Sequence, residues 1–285
     1  LRLNLNMANE ILKKINANFK FDYYLLSADN INFFEKISMI YQKYICILVN
    51  KRKIKYLKNY FYYDNRFIPA TLETYPKEIS ELNKALNLDK LNKVLDIGAN
   101  IGQFSYTLKS LFPNISLYSF EPNKAAFELL KKNSSKFKDF NVYNFGIGRE
   151  AGSRIFYFSP SASAEGSFYQ ENMNQNYVRD DVKKIYVDII NLNENNIKKL
   201  NIPKFFDLVK IDVEGAELEV LESIRDLSFR YLYMEISINR IGEGNLDKFR
   251  GIIKRQWNVD PKLIYYNLPD KKSPCASVIF DLKQD

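Results

Sequence analysis

The 285-residue chain contains no histidine. That absence excludes histidine-based triads, histidine metal centres and imidazole general bases, on which many enzymes depend near neutral pH. Proton transfer must fall to Asp, Glu, Lys, Tyr or Cys. Cysteine is nearly as scarce: Cys46 and Cys275 stand far apart, without the spacing of a zinc site or the density of a disulfide framework. A reducing compartment follows. No basic-then-apolar leader precedes a small-residue cleavage site, so a cytoplasmic protein is expected. No apolar run approaches the length that crosses a bilayer. Glycine and proline are missing altogether from residues 7 to 60, whose apolar and aromatic positions recur at helical spacings. That stretch reads as a helical extension.

An apolar content of 46% over this length can bury one sizeable core and a small accessory region. Positive charge is concentrated at one end. Residues 1 to 90 hold 15 Lys+Arg against 9 Asp+Glu, whereas the rest is nearly balanced at 27 against 25. Lys51, Arg52, Lys53, Lys55 and Lys58 follow the apolar stretch Tyr44 to Val49. A membrane-surface or polyanion contact is one reading of this cluster, and a solvated helix end is the preferred one.

The turn-like Asp64-Asn65-Arg66 and Pro69 mark a boundary near residue 66. A regular alternation begins there. Helical patterns at 77 to 87, 102 to 111, 123 to 133, 216 to 225 and 245 to 255 alternate with strand-like runs. The runs are Val94 to Ile97, 115 to 120, Asn141 to Phe145, Asp207 to Ile211 and Tyr231 to Ile236. Such alternation predicts an α/β fold with a mostly parallel sheet covered on both faces. Leu263 to Tyr266 and Ser277 to Leu282 read as two antiparallel strands closing it.

Ligands of such sheets bind beyond the carboxyl ends of the strands. At the first such end, Asp96-Ile97-Gly98-Ala99-Asn100-Ile101-Gly102, two glycines permit positive φ and a close backbone approach to a ligand. A dinucleotide fingerprint would want glycine at 98, 100 and 103, but Asn100 and Gln103 stand at two of these. An acid in the turn suits a cationic ligand better than a phosphate. The next strand stops at Glu121-Pro122, at the spacing from which a carboxylate accepts bonds from ribose hydroxyls. Asp212 and Glu214 end a central strand, and Glu235 sits among apolar neighbours in YLYMEIS. These three are the candidate proton acceptors; Glu214 can equally cap the following helix, and Glu235 can pair with a base such as Arg240. Three acids in one cleft can also hold Mg²⁺, although the spacing does not demand a metal.

Four strings carry a resemblance: VLDIGANIGQFS at 94 to 105, SFEPN at 119 to 123, NFGIGREAG at 144 to 152, and LVKIDVEGAELEVLES at 208 to 223. They resemble the FkbM family of class I methyltransferases, whose fold is a Rossmann-like sheet and whose cofactor is S-adenosylmethionine. The resemblance implies that Asp96, Gly98, Asn100 and Gly102 bind the methionyl part of the cofactor, that Glu121 holds the ribose, and that Gly146 and Ile147 lie beside adenine. It runs from about residue 66 to 282. The implied organisation is a helical N-terminal extension over 1–65 and a methyltransferase domain over 66–285.

The family commonly methylates oxygens of sugars or polyketide products, often in surface-polysaccharide biosynthesis. The leading expectation is an O-methyltransferase acting on a small-molecule or glycan acceptor, with no nucleic-acid partner. An N-methyltransferase, an NAD-dependent oxidoreductase and a non-catalytic cofactor-binding module are the alternatives on the same scaffold. Residues 159 to 182, rich in Ser, Asn and aromatics, read as a functional loop. There Ser161, Ser163, Ser167, Tyr169 and Tyr177 are candidate sugar contacts.

Overall fold

A computed structural model describes residues 19–49, 51–64, 71–159, 162–170, 181–237, 245–268 and 275–283. The order begins with helical residues 19–26 (α1), α2 (Phe33–Val49), the hairpin β1 (Lys53–Tyr56) and β2 (Asn59–Tyr62), and α3 (Tyr75–Leu86). Then come β3 (Lys93–Ile97), α4 (Gln103–Leu111), β4 (Ser116–Phe120), α5 (Lys124–Ser134) and β5 (Phe140–Tyr143). Four further strands follow: β6 (Gly146–Ile147), β7 (Gly152–Ser159), β8 (Ala162–Ser167) and β9 (Lys183–Ile190). The remainder is α6 (Glu194–Lys199), β10 (Phe205–Ile211), α7 (Glu217–Ser223), β11 (Ser228–Ser237), α8 (Asn245–Trp257), β12 (Lys262–Asn267) and β13 (Cys275–Asp281).

The central sheet runs β12-β13-β11-β10-β3-β4-β5, parallel from β11 to β5 and antiparallel at β13 and β12. This is the expected α/β architecture with its closing antiparallel pair. Alternation along each strand divides its side chains between two cores. Leu95, Ile97, Val209, Ile211, Leu232 and Met234 pack with α7 and α8 on one face. On the other, Val94, Leu208, Tyr231 and Tyr233 pack against Ile79 and Leu82 of α3 and Phe104 and Leu108 of α4. After β3 the chain moves to β4 on one side, whereas β10 docks on the other, so a crevice opens between the carboxyl ends of β3 and β10.

Two expectations need correction. The helical run expected over 7 to 60 stops at Val49, and a β-hairpin follows, with Ile54 opposite Phe61. Its turn holds Leu57 at φ 53, a left-handed conformation that normally calls for Gly or Asn, so the sequence carries no turn signal there. Residues 159 to 182 are also not simply a loop. β8 lies within them, and β6-β9-β7-β8 form a second, four-stranded sheet. The expected boundary at residue 66 lies outside the described residues. On either side of it the extension shares one core with the sheet domain: Met39, Cys46, Ile54, Phe61 and Leu72 cluster with Ile101 and Tyr106 of the β3–α4 segment and Ala126 of α5.

Candidate active site

The crevice deepens into a cleft whose lining includes Gly98, Asn100, Glu121, Gly146, Ile147, Asp212 and Glu214. The turn after β3 is pinned by its neighbours, since the N–H groups of Gly98 and Ala99 both donate to the Phe120 carbonyl, at 3.1 and 2.9 Å. Gly98 and Gly102 hold the expected positive φ, 87° and 92°. The packing around them adds a physical reason beside the expected approach to a ligand. A Cβ at Gly98 would stand 1.9 Å from the Asp212 carbonyl oxygen, and one at Gly102 2.8 Å from Leu130 Cδ1. The glycines admit close approach of the chain to itself, strand end to strand end and α4 to α5.

Glu121 is buried, and its carboxylate accepts from the N–H groups of Asn100 (2.9 Å) and Asn123 (2.8 Å). Burial outweighs these bonds and raises its pKa to about 7. Asn100 Oδ1, buried in the cleft wall, has no hydrogen-bond partner among the described residues. Such an atom fits a ligand donor. Gly166, Ser167 and Phe168 close the cleft from the second sheet, where Ser167 Oγ donates to the Glu214 carbonyl at 2.7 Å. Ser167 is thereby a tether of the strand. Tyr169 N donates to the same hydroxyl at 3.1 Å, whereas Ser161 and Tyr177 lie outside the described residues.

Asp96 is fully buried and stands behind the cleft lining, where Ser105 Oγ donates to it at 2.6 Å. Lys210 Nζ lies 3.5 Å from Asp96 and 2.8 Å from Asp212, and 5.0 Å over the Phe104 ring. Strand parity explains this cluster. The face that is apolar at Val94, Leu208 and Tyr231 continues, toward the carboxyl ends, as Asp96, Lys210, Asp212 and Glu235. Glu78 of α3 joins them, accepting from the Tyr233 hydroxyl at 3.0 Å. Burial alone would lower the Lys210 pKa, but Asp212, Asp96 and Glu78 together raise it.

Two members of this cluster, Lys210 and Glu78, were not among the expected site residues. Lys210 was legible as the one cation in the largely apolar strand FFDLVKI. Glu78 shares a helical stripe with Tyr75 and the buried Leu82, which marks it as inward-facing.

Glu235 does not line the main cleft. It lines an adjoining open recess with Tyr24, Glu78, Glu81, Tyr233 and Tyr265. Its carboxyl is pushed up to about 8, first by the charge on Asp212, then by burial and by Glu214 and Glu78. Arg240, its other expected partner, lies outside the described residues. Among the described residues no cluster of His, Cys, Asp or Glu has metal-binding geometry.

A family model described as the methyltransferase FkbM domain matches residues 96–257, more than half of the chain. The chain belongs to the FkbM methyltransferase family. It therefore carries an S-adenosylmethionine-dependent methyltransferase domain. Among curated relatives, Methyltransferase 1 of Beauveria bassiana is 27% identical over 176 residues, covering 52% of this chain and 68% of that protein. The 31-O-demethyl-FK506 methyltransferase FkbM of Streptomyces tacrolimicus is 26% identical over 156 residues, 47% of this chain and 59% of that protein. The matches thus span about two thirds or less of these relatives' own length. Among solved structures, an rRNA methylase from Streptococcus thermophilus has 14% identity and a TM-score of 0.42, covering 72% of this chain and 96% of that one.

Proposed function

We propose that the domain methylates a hydroxyl of a sugar or glycan intermediate, with cofactor and acceptor held on the two sides of the carboxylate cluster. The recess beside the cleft carries this reading. Its tyrosine rings offer faces for a sugar ring, and Glu78, Glu81, Glu235, Asn267 and Ser277 offer hydrogen-bonding groups for hydroxyls. On the cofactor side, Asn100 and Glu121 would hold the nucleoside end while Gly146 and Ile147 flank the base. Asp96, out of reach behind the lining, would act through Lys210 as a positioning residue.

Bound S-adenosylmethionine supplies a methyl carbon activated by a positively charged sulfur. An alcohol is a weak nucleophile and gains from alignment and from a base that takes its proton. Glu235 is the assigned base. Asp212 is committed to Lys210, whereas among the described residues no cation at hydrogen-bond distance holds Glu235, and a carboxyl titrating near the working pH is the more effective acceptor. Methyl transfer to the acceptor oxygen would leave the cofactor as its demethylated thioether, and Glu235 would take the hydroxyl proton.

The test incubates the protein with isotopically labelled cofactor and a panel of saccharides and amino sugars, and locates the methyl by NMR. Methyl on oxygen supports the proposal. Methyl on nitrogen alone would replace it with amine methylation, which the excess of carboxylates in the recess would then explain.

A further inference from the structure

Helix α2 has two apolar faces. Met39, Cys46 and the partly buried Ile40 turn inward to the core shared with the hairpin. On the other side Phe33, Phe34, Ile37 and Tyr41 are 63, 84, 45 and 66% exposed, and Val49 continues the series. At 100° per residue these positions fall on one arc. Exposed apolar residues scattered singly are ordinary on a protein surface, but a continuous stripe marks an interaction site. Helix α1 repeats the pattern at Phe19, Tyr23 and Leu26.

Positive charge begins where the stripe ends. Lys55 N donates to Gln42 Oε1 at 3.0 Å and Lys51 N to the Cys46 carbonyl at 3.2 Å, which fixes β1 along the C-terminal half of α2. The hairpin's Lys51, Arg52, Lys53, Lys55 and Lys58 are all exposed. Its second strand binds α5, since Asn133 exchanges two hydrogen bonds with the Tyr62 backbone and Lys132 Nζ sits 3.8 Å over the Tyr62 ring. The exposed Lys131, Lys132 and Lys138 therefore extend the same basic surface.

We infer that this face docks on an anionic lipid surface, with α2 lying in the plane of the interface and the hairpin over the headgroups. Among the described residues no helix is long and apolar enough to cross a membrane, and α2 carries Glu35, Lys36 and Lys43, so it rests on the bilayer. Charge complementarity selects the occupant. A nucleic acid would satisfy the lysines and leave Ile37 and Val49 in water, and a second copy of the chain would set like charges near one another. Anionic headgroups over an acyl boundary satisfy both. The inference is independent of the acceptor assigned above.

Vesicle flotation tests it, comparing phosphatidylcholine with the same lipid containing about one third phosphatidylglycerol. The parent should float with the anionic vesicles only, and less as salt rises from about 0.1 to about 0.5 M. The exposed-site variants Phe34→Ser/Ile37→Ser and Lys53→Glu/Lys55→Glu should each bind about tenfold or more weakly, while titrating with S-adenosylhomocysteine as the parent does. Tyr41→Trp should blue-shift its emission and be quenched by acyl-brominated lipid. Failure to float overturns the inference, as does full binding by the serine variant, which would leave only a polyanion patch. A parent dimer that the serine variant dissociates would make a second copy the occupant. Tighter binding to random RNA than to vesicles would make it a nucleic acid.

Discussion

Glu235 and Asp212 stand in different relations to their neighbours, and that difference is measurable. The negative charge of Asp212 is the largest cause of the raised Glu235 pKa. A base protonated at low pH makes the rate of methyl transfer climb with pH to a limb near 8, and Glu235→Gln should abolish that limb with a loss of about 10²- to 10⁴-fold. Asp212→Asn should instead move the limb to lower pH, because the repelling charge is gone. A limb that stays in place in both variants would show that neither carboxyl sets it. Glu121 belongs to the cofactor side. Glu121→Ala should weaken S-adenosylhomocysteine by about 1.5 to 3 kcal/mol, the worth of hydrogen bonds to a charged group. Calorimetric titration checks it, and equal affinity would remove the carboxylate from the ribose. Glu121→Gln retains an acceptor for Asn100 or Asn123 and separates ligand contact from collapse of the turn.

Between elements, the buried Lys43 of α2 is the tie: its ammonium bonds Asp22 of α1 and Glu73, just ahead of α3, the latter at 2.7 Å. Lys43→Met should cost about 3 to 5 kcal/mol in urea unfolding, because two carboxylates lose their shared cation without gaining water. A loss under about 1 kcal/mol would mean the acids simply protonate or relax to the surface. The central strands could be read from sequence because they are short apolar runs ended by an acid, as at β3 and β10. The second sheet could not. β8 reads ASAEGS, with no branched or aromatic residue to announce a strand, and is held by pairing with β7. The hairpin hid behind a left-handed Leu57. At the site, Asp212, Glu214 and Glu235 were all picked out in sequence, but their division between cleft and recess depends on α3, which supplies Glu78 from more than a hundred residues away. No local pattern carries that kind of contact.

Over the whole molecule, folding has placed carboxyl groups where water cannot reach them freely. Glu235 is raised to about 8 and Glu78 and Glu121 to about 7 from an ordinary 4.5. Between those values the native chain holds protons that the unfolded chain has lost, so stability must fall as pH rises through this window. Thermal unfolding should therefore occur at a higher temperature at about pH 6 than at about pH 8. The reverse order would show that these groups are charged in the native state. Of these groups, Glu121 lines the cleft and Glu78 and Glu235 the adjoining recess, so the retained protons give the site an exchangeable cargo. A cationic ligand entering among half-titrated carboxyls expels hydrogen ions into the solvent, and the buffer takes them up with its own heat. Binding measured in phosphate and in Tris should give one affinity but two different enthalpies, their gap counting the ions released. In a chain without histidine such a gap, if seen near neutral pH, is the signature of these acids discharging; equal enthalpies would mean that they were already ionised.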